Sequence, residues 1–282
     1  MDIRTVTVLG AGTMGHGIAH GTALAGYDTR LFDTTDEVLA AARNRIETIL
    51  KKAVDLGKAT AGDADAAMGR LATVSDIGTA LAGTDFVIEA APERIELKLS
   101  LFAEVERHAP ATAVVTTNTS ALSISEIAGS LARPARVAGM HFFNPVHKMK
   151  LIEIVRALES SDETIETIEV VAARMGKQTV LVSESPGFIT TRVNASIGNE
   201  AFYMLMDGVA SARDIDKALK LGLNHPMGPF ELVDLVGLDT RLSILEYLHR
   251  SLGEKYRPCP LLAQYVGEGR LGRKVGKGVY DY

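Results

Sequence analysis

The chain has 282 residues, 46% of them hydrophobic and 23% charged, with a formal net charge of −5. That length favours two domains, because a single core has usually stopped growing at this size, and the composition excludes a disordered or fibrous chain. An acidic balance with no long Lys/Arg run argues against nucleic-acid binding, and the lone cysteine, Cys259, excludes an internal disulfide and suits a reducing compartment.

In chain order, Thr5–Leu9 reads as a β-branched apolar strand and Thr13–Ala25 as a helix of small residues. Thr29–Phe32 is the next strand, ending on Asp33, and two helical stretches follow at Asp36–Leu56 and Gly62–Arg70. Strands are predicted at Asp85–Glu89, Ala113–Thr117 and Val137–His141, with helices at Ile95–His108 and Ser123–Ala128 between them. Leu151–Val155 and Gln178–Val182 add strands on either side of a helix over Asp162–Met175. Beyond Ser185-Pro186-Gly187 strand signals stop. Periodic apolar helices take over at Phe188–Met206, Ala212–Leu221, Pro229–Val236 and Leu238–Leu252, with Gly208, Gly222, Gly237 and Gly253 where they should end.

Strand–helix alternation predicts an α/β fold: a Rossmann-type domain over residues 1–185 with a mostly parallel sheet and a helical hairpin insertion near 36–70. An all-helical domain is expected over 186–282. No apolar run reaches the roughly 18 residues of a membrane span, and the N-terminal residues run into the first strand without a signal-peptide pattern, so a cytoplasmic protein without membrane partners is expected.

The loop Gly10-Ala11-Gly12-Thr13-Met14-Gly15 joins the first strand to the first helix. Gly10 permits the tight turn, Gly12 a close approach of backbone to a pyrophosphate, and Gly15 close packing of helix on sheet. Phosphates would sit at the helix N-terminus, where free N–H groups and the helix dipole favour negative charge. A G-x-G-x-x-G alone is weak, but Asp33 ends the next strand 18 residues after Gly15, where an acid grips the ribose hydroxyls. The alternative is an ordinary strand-end turn residue. An acid there repels a 2′-phosphate, and Thr34 and Thr35 follow rather than arginine, which favours NAD over NADP.

His141 ends a predicted strand, at the edge where open α/β sheets bind ligands. Glu153, twelve residues on, interrupts the apolar strand Leu151-Ile152-Glu153-Ile154-Val155, where a carboxylate is costly without a partner. A returning strand brings the two together, and a buried carboxylate beside an imidazole fixes its tautomer and favours its protonated form. That combination suits a general base for alcohol oxidation, against the alternative of a satisfied structural histidine. His147, in the loop between them, is either a solvated loop residue or a second group lining the crevice.

Together these residues resemble the 3-hydroxyacyl-CoA dehydrogenases, particularly the stand-alone bacterial 3-hydroxybutyryl-CoA type. The similarity runs through GAGTMGHGIA (10–19), APERIELK (91–98), NTSALSI (118–124), HFFNP (141–145), MKLIEIV (149–155), SPGFITTR (185–192), HPMGPFELVDLVGLD (225–239) and GRKVGKGVYDY (272–282). The resemblance implies that His141 takes the 3-hydroxyl proton, that Glu153 holds it, and that Ser120 bonds the oxygen at C3. Asn144 would contact the nicotinamide side, and Glu93, Lys98 and Asn118 would lie near the dinucleotide. The helical domain would close over an acyl-CoA and form a homodimer, and the setting would be fatty-acid metabolism.

Alternatives stand beside these: Ser120 as a helix N-cap, Lys98 as a solvated helix residue, and 225–229 as a structural turn. The family usually has asparagine where this chain has Thr191, so the substrate carbonyl would be met by Thr191 or by Asn194 one turn later. Lys51, Lys52 and Lys58 match the family's CoA-binding basic residues loosely and could equally form a solvated face. The rival functions are a dehydrogenase of a free hydroxy acid or sugar acid, and a non-catalytic NAD-binding protein.

Overall fold

A computed structural model describes residues 2–282, which form two compact units, the first ending at Glu184 and the second spanning Ser185–Tyr282. The first unit runs β1 (Thr5–Leu9), α1 (Gly15–Leu24), β2 (Asp28–Phe32), α2 (Asp36–Asp55), α3 (Ala61–Arg70), β3 (Leu71–Val74), α4 (Ile77–Leu81), β4 (Phe86–Glu89), α5 (Ile95–His108), β5 (Val114–Thr117), α6 (Ile124–Ala128), β6 (Val137–Phe142), β7 (Leu151–Arg156), α7 (Asp162–Arg174) and β8 (Gln178–Ser183). One sheet contains all eight strands in the order β3-β2-β1-β4-β5-β6-β7-β8. All neighbours pair in parallel except β6 and β7, which are antiparallel.

The central strands are buried on both faces, which is why β4 reads FVIE with every residue buried rather than alternating. Helices cover the two faces. In α2, Leu39, Ala42, Ile46 and Leu50 recur at helical spacing and are the residues it buries. The connection from β1 runs outward to β2 and β3, and the one from β4 runs the opposite way to β5 and β6. The boundary between β1 and β4 is therefore the topological switch point of the sheet, the usual position of a ligand crevice.

The structure adds β3 and α4, which the sequence reading lacks. β3 has four residues and follows Arg70 without a turn residue between, and α4 has five, capped by Asp76 accepting from the Thr79 amide at 2.8 Å. Elements this short do not complete enough periods to declare themselves.

The second unit is helical: α8 (Thr190–Met206), α9 (Ala212–Gly222), α10 (Pro229–Val236), α11 (Leu238–Leu252) and α12 (Pro260–Gly267), the last also absent from the sequence reading. Its core gathers Phe202, Ile215, Phe230, Leu245, Leu248 and Leu262, with the Phe202 and Phe230 rings edge to face at 5.2 Å. Two buried aspartates organise it. Asp216 accepts from the Phe230 and Glu231 amides, at 2.8 and 3.1 Å, and from the Tyr280 hydroxyl at 2.8 Å, so it caps the N-terminus of α10. Burial is the largest of the influences on Asp216 and raises its pKa. A Cβ on Gly228 would lie 2.2 Å from the Asp216 carboxyl carbon, so only glycine fits there. Asp234 accepts from the Val279 and Tyr280 amides and the Tyr282 hydroxyl, fastening the last residues. The segment 225–229 is thus a turn built to start α10. Among the described residues no helix is long and apolar enough to cross a membrane.

Candidate active site

The glycine loop leaves β1 at the switch point. Gly10 donates to the Phe32 carbonyl at 2.8 Å and has φ +99°, and a Cβ there would lie 2.9 Å from the Ala90 carbonyl oxygen. Gly15 is more constrained still, since its Cβ would fall 1.7 Å from the Gly10 oxygen. Gly12 is different: a Cβ there meets nothing within 4 Å, so packing does not demand glycine. What Gly12 leaves open is the space over the loop, beside the start of α1. Thr13 is exposed and Met14 packs partly buried against the core. Asp33 directly follows β2 and accepts from the Ala11 amide through Oδ2 and from the Thr34 amide through Oδ1, both at 2.8 Å, so it holds the loop from the end of the adjacent strand. An open anion cradle with an acid beside it fits a dinucleotide whose ribose is unphosphorylated.

Three strands from the loop, the register of β6 against β7 sets His141 directly opposite Glu153. Nδ1 of His141 donates to Oε2 of Glu153 at 2.7 Å, and the side chains are 6% and 0% exposed. With the carboxylate accepting at Nδ1, the neutral ring carries its lone pair on Nε2. Phe143 lies 4.7 Å from the imidazole, ring centre to ring centre. The pair is a carboxylate-oriented imidazole at a strand's carboxyl end, which is what proton transfer from a hydroxyl requires.

The end of β5 supplies the neighbouring groups. Asn118 donates its amide to the Glu89 carbonyl and accepts from the Phe142 amide, both at 2.8 Å, linking the ends of β4, β5 and β6. Thr119, Ser120 and Ala121 converge on Oε1 of Glu93 through one hydroxyl and two amides, at 2.5, 2.8 and 3.2 Å. The Ser120 backbone is therefore fixed from outside its own segment. Ser123, not Ser120, caps α6, accepting from the Glu126 amide at 3.1 Å. Lys98 is not a solvated helix residue. It is 1% exposed, with Nζ 2.7 and 2.8 Å from the two oxygens of fully buried Glu89 and 3.5 Å from Glu93. Thr117 completes the cluster, donating to Glu89 at 2.6 Å. Asn144 is exposed and precedes a cis peptide to Pro145.

Residues 5–185 match the family described as 3-hydroxyacyl-CoA dehydrogenase, NAD binding domain, and residues 187–282 match its C-terminal domain. The chain belongs to the 3-hydroxyacyl-CoA dehydrogenase family. It is 44% identical to a probable 3-hydroxybutyryl-CoA dehydrogenase of Bacillus subtilis, the alignment covering 100% of this chain and 98% of the relative. It is 42% identical to a 3-hydroxybutyryl-CoA dehydrogenase of Bradyrhizobium diazoefficiens, over 99% and 96%. The crystal structure of an (S)-3-hydroxybutyryl-CoA dehydrogenase from Ralstonia eutropha superposes with a TM-score of 0.96 at 39% identity, covering 100% and 99%. As a 3-hydroxyacyl-CoA dehydrogenase the chain is an NAD-dependent oxidoreductase interconverting 3-hydroxyacyl-CoA and 3-oxoacyl-CoA.

The remaining dehydrogenase candidates are scattered. Thr191 and Asn194 lie three residues apart on one face of α8, both half-buried, in the second unit. Lys51 and Lys52 are exposed on α2 and Lys58 just beyond it. Lys51 lines a hollow between α2 and α3 together with Asp55 and Asp65. The sequence reading misses two carboxylates. Glu89 ends a fully apolar strand, the same signal that singles out Glu153. Glu184 receives the Ser123 hydroxyl and the Ile124 and Ser125 amides, and so anchors α6 just after the serine segment.

Proposed function

We propose that this dehydrogenase oxidises short-chain (S)-3-hydroxyacyl-CoA, such as 3-hydroxybutyryl-CoA, and that the His141–Glu153 pair performs the proton transfer. The observation carrying this reading is that pair itself, buried, 2.7 Å apart and held by strand register at the ligand edge of the sheet. His141 accepts the 3-hydroxyl proton at Nε2, and Glu153 stabilises the imidazolium that forms. Ser120 hydrogen-bonds the C3 oxygen, in a segment that Glu93 holds rigid. Gly10, Gly12, Thr13, Met14, Gly15 and Asp33 hold NAD, with Asn118, Asn144, Glu93 and Lys98 around it. Bound NAD supplies the acceptor for the hydride that leaves C3. Lys98 acts from behind, through Glu89 and Glu93, because its ammonium is buried against both. Thr191 and Asn194 meet the thioester carbonyl.

The helical unit exposes Val209, Leu221, Leu223 and Leu235, between half and three-quarters accessible, which supports a homodimer through this unit. The buried thiol of Cys259 suits the reducing cytoplasm.

The decisive experiment follows NADH formation with (S)-3-hydroxybutyryl-CoA, its (R) enantiomer and free 3-hydroxybutyrate, alongside light scattering for the molar mass. Saturable oxidation of the (S) thioester alone, by a particle of twice the chain mass, is expected. Oxidation of the free acid with no response to the thioester would overturn the substrate assignment. A monomer would overturn the dimer.

A further inference from the structure

The helical unit buries a positive charge that its own residues leave uncompensated. Arg241, in the first turn of α11, is 2% exposed. Its Nε is sealed from solvent without a hydrogen-bond partner, and its guanidinium forms no ion pair among the described residues. Room for the side chain comes from α8. A Cβ on Gly198 would lie 3.8 Å from Nε of Arg241 and 3.1 Å from Cγ2 of Val233, so glycine lets the arginine lie against the helix backbone.

The buried polar groups of the surrounding helices are engaged elsewhere. Of the residues that α8 buries, only Asn199 has a polar side chain, and it donates to the Arg257 carbonyl at 2.9 Å and accepts from the Cys259 amide at 2.8 Å. On α10 the buried carboxylate is Asp234, which takes the Val279 and Tyr280 amides and the Tyr282 hydroxyl. Asp216 of α9 is taken by the start of α10 and by Tyr280. Besides Arg241, α11 buries only leucines. Burial alone moves the Arg241 pKa, lowering it to about 10, with no neighbouring charge acting on it.

Even so lowered, the guanidinium stays charged near neutral pH. A buried ion without a partner is costly, and an opposite charge bearing acceptor lone pairs relieves it. The fork of the guanidinium matches a pair of oxygens, and a side chain so nearly enclosed admits a small ion only. Thr191, Asn194 and Gly198 share one stripe of α8, with Gly198 a turn beyond Asn194. That turn spans about 6 Å along the helix, roughly the length of an extended six-carbon acyl chain.

We propose that Arg241 is the binding site for one small monovalent anion, a carboxylate or a halide, within the helical unit. The anion comes from one of two sources: a free ion from solution, or the carboxylate at the far end of an acyl chain whose thioester carbonyl lies at Asn194. The free-ion form stands by itself, and the acyl-chain form rests on the acyl-CoA reading above.

The test has two arms. In the first, thermal unfolding is followed at constant ionic strength while isethionate, a bulkier anion, is replaced by chloride or formate. The wild-type midpoint should rise saturably by about 3–6 °C. Arg241→Met, which keeps the length of the side chain without its charge, should shift by less than about 1 °C, and Arg241→Gln provides a second neutral variant. In the second arm, NADH oxidation is measured with 3-oxoadipyl-CoA and 3-oxohexanoyl-CoA, equal in chain length and different in the terminal carboxylate. A fall in kcat/KM of roughly 10–100-fold in the variants for 3-oxoadipyl-CoA alone assigns the anion to the acyl chain. An anion-dependent midpoint in wild type only, with no such selective fall, assigns a free ion; either result supports the site. Without the selective fall, a midpoint that rises equally in wild type and variants, or does not rise at all, would overturn it. Wild-type protein that turns over neither thioester overturns the acyl-CoA reading, and the unfolding arm then decides the anion site by itself.

Discussion

At the residue scale, the proposed proton transfer depends on a carboxylate buried away from solvent. Glu153 is fully buried and its Oε2 takes the Nδ1 proton of His141 at 2.7 Å. Glutamine preserves the shape and a hydrogen bond but cannot stabilise the imidazolium that follows proton transfer. Glu153→Gln should lower turnover of acetoacetyl-CoA by roughly 10²–10⁴-fold with NAD affinity retained, and His141→Ala should be at least as damaging. Unchanged steady-state rates in either variant would remove the pair from the mechanism. Asp33 invites a separate measurement. It takes the Ala11 amide and lies beside the glycine loop, so Asp33→Ala should weaken NADH binding by about 10–100-fold, the worth of a charge-assisted hydrogen bond or two. Fluorescence titration gives the value directly, and equal affinities would leave Asp33 as a turn residue.

At the scale of elements, β4 and α5 are joined by the buried Lys98–Glu89 pair, and Glu89 also receives the Ala91 amide and the Thr117 hydroxyl. Removing one partner strands the other charge away from water, the expensive way to break a buried ion pair. Glu89→Ala should therefore cost about 3–5 kcal/mol by urea unfolding, while Glu89→Leu with Lys98→Met should recover much of it. A small loss in the single variant would mean that Glu93, 3.5 Å from the ammonium, can hold it alone. The neighbouring β6–β7 hairpin explains why the dyad was legible in sequence and the Lys98 pair was not. Glu153 stands in the middle of an apolar run with a histidine one loop away, and an antiparallel return needs no more than that. The partner of Glu89 comes from a helix in a βα crossover, whose rotation about its axis is set by packing rather than by residue spacing.

For the whole molecule, buried His20 makes stability depend on pH. Its pKa is about 4 in the folded protein against an ordinary 6.5, because burial, and then His147, Lys177 and His16, disfavour the charged ring. Between those values the unfolded chain binds a proton that the folded one does not, so the full contribution is present above pH 6.5, falls as pH drops, and is gone below about 4. From pH 7.5 to 5 the loss is about 2 kcal/mol. The carboxylates titrate in wild type and variant alike, so His20→Gln should flatten the urea-midpoint profile by about that amount relative to wild type. Parallel profiles would show that the ring is hydrated and titrates normally in the folded state.

Local pattern determined a good deal of this protein. The alternation of strands and helices, the glycine turn with Asp33 after it, and the acid inside an apolar strand are all short-range signals written by backbone sterics and by the cost of burying charge. Those signals carried the α/β class and the candidate pair His141 and Glu153. They could not carry β3, α4 or α12, which are too short or too irregular to show a period, nor the burial of Lys98. They also left His147 undecided between a solvated loop residue and a second group lining the crevice. Only the tertiary structure sets the His20 ring of α1 edge-on to it, 127 residues away in the chain. Such a neighbourhood depends on which faces pack together, and no spacing within one segment encodes that.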